Sequence, residues 1–340
     1  MSWSHLVIKK TSKYLIAFTL LALLWKCDKE SDPTPNKPET LEYFQAFREQ
    51  SPFWEKIPDT AAIDPNSSTM VQSLIEQAQQ SFLIAVKKWT VPVYYASSQT
   101  PRYDVKLTAS WAPKRYLKNV PIPEFAEPDP EDDGHMVIIS REDGCIYDFW
   151  QAKYRNGEWK ASWGNAIPIQ SNGIFPGGFS ARGSGFELLQ GVIWPQELAN
   201  GYIPHALIFS YDHTKAGGPV PPATESDGTS NDPWAIPEGA RIQLDPTLNL
   251  DSLGLSEYEK IIARALQEYG MYCADDGGGI QLYAINPISV NKNPYQNIWG
   301  DQTYVFLTGI PADRFRVLKL PPQVAQPPSL VTNACAQFAE

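Results

Sequence analysis

Positive charge is scarce in this chain. Lys and Arg number 28 against 38 Asp and Glu, a net charge of −10 over 340 residues. Binding a phosphate backbone takes clustered Lys and Arg, so this balance argues against a nucleic-acid partner. Cysteine is scarce too. The four are Cys27, Cys145, Cys273 and Cys335. None sits in a Cys-x-x-Cys spacing, which argues against a zinc site or a dithiol redox motif. The HExxH, Walker A and GxGxxG patterns are absent. Gly178-Phe-Ser180-Ala-Arg182 approaches the Gly-x-Ser-x-Gly nucleophile elbow, but Arg182 stands where the last glycine belongs, which disfavours a serine nucleophile. The sequence has no internal repeat.

Hydrophobic residues make up 43% and charged residues 19%, the balance of a globular chain. The 30 Pro and 22 Gly suit short strands joined by many turns. Eleven Trp is a heavy load. Indoles fill cores, and exposed ones stack on sugars or on partners.

Residues 1–27 read as a lipoprotein-type signal peptide. Lys9, Lys10 and Lys13 form a positive n-region, and YLIAFTLLALLW (14–25) is an apolar run too short to span a bilayer comfortably. Cys27 is the expected lipidation site, although Leu24-Trp25-Lys26 replaces the small residues usual before it. Asp28-Lys29-Glu30 resembles the tag that sends Bacteroidetes-type lipoproteins to the cell surface. The alternatives are an uncleaved anchor or an ordinary signal peptide, and all three export the protein. Residues 28–40 read as a Pro-rich tether. In an oxidising compartment one pair among Cys145, Cys273 and Cys335 can bridge, and the sequence does not choose which.

The chain is organised around Gly134 to Trp150, GHMVIISREDGCIYDFW. Two β-rich runs flank Arg141-Glu-Asp-Gly144, where Asp143-Gly144 supplies turn chemistry. An even-length loop leaves Ser140 opposite Cys145, which puts His135, Val137, Ile139, Ile146, Asp148 and Trp150 on one face. Met136, Ile138, Cys145, Tyr147 and Phe149 take the other, expected to face the core. His135, Asp148 and Trp150 would then meet solvent or ligand together.

Elsewhere, residues 69–80 read as a helix with a Thr69/Gln72 capping box. Residues 256–269 read as the best helix, with a Ser256/Glu259 box and Gly270 as its stop. Trp159 to Trp163 reads as one strand with both indoles on one face. Residues 120–133 read as a long surface loop. Residues 215–237 form a polar loop whose length marks it as functional or disordered. About ten short strands and two notable helices give a mainly β fold, an antiparallel β-sandwich or barrel-like domain with two or three peripheral helices. It occupies residues 41–320, and residues 321–340 are expected to be a loosely held tail.

Trp54, Asp64-Pro-Asn-Ser67, His135, Cys145, Tyr147, Asp148, His205-Ala-Leu207, Tyr269-Gly-Met271, Ala274 and Asp275 together resemble a group of uncharacterised exported bacterial proteins. The resemblance spans roughly residues 50–320. It implies export and a single large domain, and the group has no assigned activity. This chain departs from the group at Gln80-Ser-Phe-Leu-Ile84, where members often carry His-Pro-Asp-Phe-Gly.

A glycosidase needs two carboxyls about 5–10 Å apart, and Asp148 and Asp275 are the candidate pair. A polysaccharide lyase needs a base and a charge neutraliser. His135 or His205 fits the first role, and Arg182 or Arg241 the second. Trp150 and Trp163 are candidate sugar platforms. No cofactor is expected, apart from a structural Ca²⁺ on Asp129 to Asp133 or on Asp275-Asp276. The sequence therefore leads to an exported lipoprotein acting on extracellular polysaccharide, or else to a non-catalytic glycan-binding or envelope-interaction lipoprotein.

Overall fold

A computed structural model of the chain describes residues 37–79, 81–325 and 327–340. The signal-peptide reading, the lipidation of Cys27 and most of the tether lie outside the described residues. In chain order the strands are β1 (Phe82–Ala85), β2 (Val93–Ala96), β3 (Arg102–Leu107), β4 (Tyr116–Pro121), β5 (Met136–Ser140), β6 (Cys145–Trp150), β7 (Lys153–Arg155), β8 (Glu158–Ala161), β9 (Trp163–Pro168), β10 (Leu207–Tyr211), β11 (Arg241–Leu244), β12 (Met271–Asp276), β13 (Ile280–Tyr283), β14 (Tyr304–Phe306), β15 (Phe315–Val317) and β16 (Phe338–Ala339). The helices are α1 (Ser67–Gln77), α2 (Pro195–Ala199) and α3 (Glu257–Glu268).

The fold is mainly β, built from three open sheets. Seven strands run β14-β1-β13-β10-β12-β11-β15, five run β16-β4-β3-β8-β7, and four run β2-β5-β6-β9. Most pairings are antiparallel. The sheets are nonetheless mixed, because β1/β13, β10/β12, β2/β5 and β3/β8 pair in parallel.

Strand alternation stacks these sheets. On β10 and β12, Leu207, Phe209, Met271 and Cys273 join a core with Met70 and Leu74 of α1 and Ile262 and Leu266 of α3. From the opposite face of the same strands, Ile208, Tyr272 and Ala274 meet Val137, Ile139 and Ile146 of the four-stranded sheet. That sheet's other face, Met136, Ile138, Tyr147 and Phe149, meets Val105, Leu107 and Leu117 of the five-stranded sheet. The layers are therefore helices, seven strands, four strands and five strands.

The central hairpin has the expected register, with Ser140↔Cys145, Val137↔Asp148 and Met136↔Phe149. Its environment differs from expectation. Both faces of this sheet are buried, so the face carrying Asp148 is a second core and not a solvent face. A strand whose alternation is apolar on one side and mostly apolar on the other fits between two sheets.

Helix α3 has its Ser256/Glu259 capping box: Ser256 Oγ accepts the Glu259 N–H, and Glu259 Oε2 accepts the Ser256 N–H at 3.0 Å. Helix α1 begins earlier than expected, at Ser67 after Asn66, and does not use Thr69 as its cap. Trp159 and Trp163 do not share a strand. The chain breaks at Ser162, which sends β8 to the five-stranded sheet and β9 to the four-stranded one.

The tail is not loose. Cys335 is bonded to Cys145 with their Cα atoms 5.6 Å apart, Cys273 is free, and β16 pairs with β4. The end of the expected tether is tied as well, since Asn291 and Lys292 donate backbone N–H groups to Pro38 and Glu39 carbonyls. Among the described residues no helix is long and apolar enough to cross a membrane.

Candidate functional site

A cavity of about 570 Å³ opens at one end of the central sheet. Its wall takes His135 just before β5, Trp150 at the end of β6, Trp163 at the start of β9, and Asp275 and Asp276 at the end of β12. Loops add Trp111, Asp133, the 179–183 segment and Glu225 to Asp227, and Pro328 comes from the tail.

The aromatic residues form one patch. Trp111 lies 6.4 Å from Trp150 with rings nearly parallel, 5.7 Å from Trp163 and 6.1 Å from Phe179, centroid to centroid. Trp111 is 52% exposed, so its face is free. Trp163 is fully buried and acts as a pillar: its Nε1–H donates to Phe179 O at 2.6 Å, and Asn165 Nδ2 donates to the same carbonyl at 2.9 Å. Trp150 Nε1 donates to Asp133 Oδ1 at 3.2 Å, which fixes an indole and a carboxylate side by side.

The rest of the wall is acidic. Asp227, Glu238 and Asp275 each bring a carboxylate oxygen within 4.8 Å of the others. Burial, and then the charge of Asp227, pushes Asp275 well above the usual carboxylate range, and burial and Asp227 do the same to Glu238. Glu225 accepts the Phe179 N–H at 2.6 Å and is raised to about 7 by burial. Gly183 lets the Asp227 side chain approach the 179–183 backbone closely. A Cβ there would stand 2.7 Å from the Asp227 carboxylate.

Arg182 is buried beneath this wall. Its guanidinium donates to Glu187 O at 3.3 Å and Leu188 O at 3.2 Å, and lies over the Tyr283 ring at 5.4 Å. Its Nε is 4.0 Å from Asp275 Oδ2. A guanidinium cannot lose its charge, so the surrounding carboxyls must hold a compensating negative charge among them.

His135 and Asp148 share a sheet face as expected, but only His135 reaches the cavity. Its Nε2–H donates to Ala181 O at 3.3 Å. Burial first, then Arg182, lowers its pKa to about 4 against the pull of Asp133, so the ring is neutral near pH 7. Asp148 is 0% exposed and not part of the wall. Its Oδ2 accepts the Ala181 N–H at 3.4 Å, and burial pushes it up to about 7. The assignment of Asp148 as a catalytic carboxyl is therefore corrected: it props the 179–183 segment from below.

His205 is corrected too. It lies away from the cavity beside Trp54, with both ring nitrogens on acceptors, Ala206 O and Glu197 Oε1, each at 2.9 Å. Burial works to lower its pKa. The Glu197 charge and hydrogen bond outweigh that and raise it, which makes His205–Glu197 a structural clasp.

Of the sequence candidates, His135, Trp150, Trp163, Arg182 and Asp275 converge on the cavity. Trp111, Phe179, Glu225 and Asp227 were missed, as was Glu238 behind the wall, and Asp133 entered only as a candidate Ca²⁺ ligand. The sequence signal for Glu225 and Asp227 was the unusual length of the polar 215–237 loop. Comparison with protein-family models, curated proteins and solved structures returned no match to this chain.

Proposed function

We propose that this protein is an exported, lipid-anchored protein that binds extracellular polysaccharide in the cavity and hydrolyses it. The observation that carries this reading is the joining of one continuous aromatic patch to a carboxyl-rich wall around a single cavity. Sugar rings present apolar faces that stack on indoles and hydroxyls that hydrogen-bond to carboxylates. The volume suits one or two sugar rings, since ligand pockets commonly enclose about 300–1,000 Å³.

Hydrolysis is favoured over a lyase reaction. The acidic wall repels a uronate, and both terminal nitrogens of Arg182 are already engaged by carbonyls. Glycoside hydrolysis runs on a pair of carboxyls. Outside the Asp227–Glu238–Asp275 cluster, the carboxyls on the wall are Asp133, Glu225 and Asp276. Export is supported by the signal-like residues 1–27 and by the Cys145–Cys335 bond, which belongs to an oxidising compartment.

The test is a panel of neutral and acidic glycans, read for binding, for new reducing ends and for unsaturated uronates. The expected result is reducing ends without unsaturated products, their loss in one or more of Asp133→Asn, Glu225→Gln and Asp276→Asn, and binding weakened about tenfold by Trp111→Ala. Binding without products leaves a non-catalytic glycan-binding protein, and no binding removes the glycan reading. Cys27→Ser moving the protein from the detergent to the aqueous phase checks the anchor.

A further inference from the structure

We propose that Asp227, Glu238 and Asp275 hold a hard divalent cation, Ca²⁺ in the first instance, on the wall of the cavity. The three come from separate places: Asp227 from the middle of the 215–237 loop, Glu238 from just beyond it, and Asp275 from β12. One oxygen of each lies within 4.8 Å of the other two. Two oxygens on opposite sides of a Ca²⁺ ion stand about 4.6–5.2 Å apart, given bonds of about 2.3–2.6 Å. The cluster therefore fits inside a Ca²⁺ shell without moving backbone. The donors are all carboxylate oxygens, which selects hard cations over zinc or copper.

An acidic cluster alone would be weak ground. The independent observation is Glu238. It is 0% exposed, yet its Oε1 has no hydrogen-bond partner, while its Oε2 accepts the Asp227 N–H at 3.2 Å. A buried carboxylate oxygen with no donor costs roughly 1–3 kcal/mol or more, and a cation among the three carboxyls removes that cost. Arg182 does not do so: of the three carboxyls its salt-bridge partner is Asp275, at 4.0 Å, and its terminal nitrogens donate to carbonyls.

The backbone is held for the purpose. Gly239 donates its N–H to Cys273 O at 2.8 Å, pinning Glu238 beside β12, and a Cβ at Gly239 would fall 1.8 Å from Val220 O. Asp227 and Asp275 line the cavity, so an ion between them keeps coordination positions open toward a ligand. Hydroxyl oxygens of that ligand would complete the shell. The cation site does not depend on the ligand being a glycan.

The test uses the chelator-treated protein without any glycan. Calorimetry and thermal unfolding are followed with CaCl₂ and, separately, MgCl₂. Saturable Ca²⁺ binding that raises the melting temperature is expected, reversed by chelator and weakened about tenfold or more in Glu238→Gln. Asp227→Asn, at a more exposed position, gives the same loss of affinity if Glu238→Gln fails to fold. No saturable binding of either cation, or wild-type affinity in the folded variants, overturns the site, and tighter binding of Mg²⁺ than of Ca²⁺ overturns the Ca²⁺ assignment. Ca²⁺ binding here, together with no binding in the separate glycan panel, leaves the cation site standing while removing the glycan reading.

Discussion

Asp148 shows what burial does to one carboxyl. It packs between two cores, one oxygen accepts the Ala181 N–H and the other has no partner. An ionised group there loses its water and gains little in return, so the protonated form is preferred up to about pH 7. An unfolded Asp releases its proton near pH 4. Between these values the folded state binds the extra proton, so stability from this group is full below about pH 4 and is lost as pH rises through about 7. Asp148→Asn removes the titration and keeps the shape. Its stability is expected to match the wild type near pH 4 and exceed it at pH 8, by on the order of a few kcal/mol, with the melting temperature moving in the same sense. Melting curves from pH 4 to 8 measure this, and parallel curves for the two proteins would show that Asp148 is ionised throughout. Arg182 opposes the shift, so a shallower slope that still flattens in the variant fits the same account.

At the scale of strands, β6 and β9 approach closely because Gly164 lies opposite Phe149. A Cβ at Gly164 would sit 2.4 Å from the Phe149 ring. Phe149 is fully buried between sheets and cannot retreat. Gly164→Ala is expected to destabilise by about 1–3 kcal/mol, the range for overpacking. Denaturant unfolding reads this, and Gly164→Ala combined with Phe149→Leu should recover part of the loss. The sequence spoke clearly where structure is decided locally. Asp143-Gly144 and the flanking alternation set the hairpin register, and Ser256 with Glu259 marked α3. It was silent where the decision lies far along the chain. Nothing near Ser162 says that β8 and β9 join different sheets. Nothing near Asp148 says that a third sheet covers its face, which is why a residue placed on the correct face became a buried prop. The cavity was half legible for the same reason. His135 and Trp150 come from the hairpin itself, whereas Glu225 and Asp227 reach the wall only because a long loop folds back toward β12.

The whole molecule is closed by its last residues. Cys335 ties the tail to the first residue of β6, 190 positions earlier. Around that bond Asn333 Nδ2 donates to Ala166 O at 2.8 Å, Lys118 donates its N–H to Gln337 O at 2.7 Å, and Phe338 stacks on Trp163 at 5.6 Å. The tail thus closes an edge of the five-stranded sheet and of the core beneath it, and Pro328 within it contributes to the cavity wall. A bond closing so long a loop restricts the unfolded chain strongly. Removing it is expected to cost about 2–5 kcal/mol. Cys335→Ser should therefore lower the unfolding free energy by that amount, seen as a lower denaturant midpoint at unchanged slope, and mild reduction of the wild type should do the same. Cys273 is 0% exposed and its thiol is pushed up by burial, so it is poorly placed to exchange with the bond. The loss should also be local at first. Among the described residues the tail is otherwise held by a two-residue strand, the Phe338–Trp163 stack and scattered hydrogen bonds, so the reduced protein should be cut by protease within residues 321–340 before the sheets open. Equal midpoints and equal proteolysis with and without the bond would mean that these contacts hold the tail unaided.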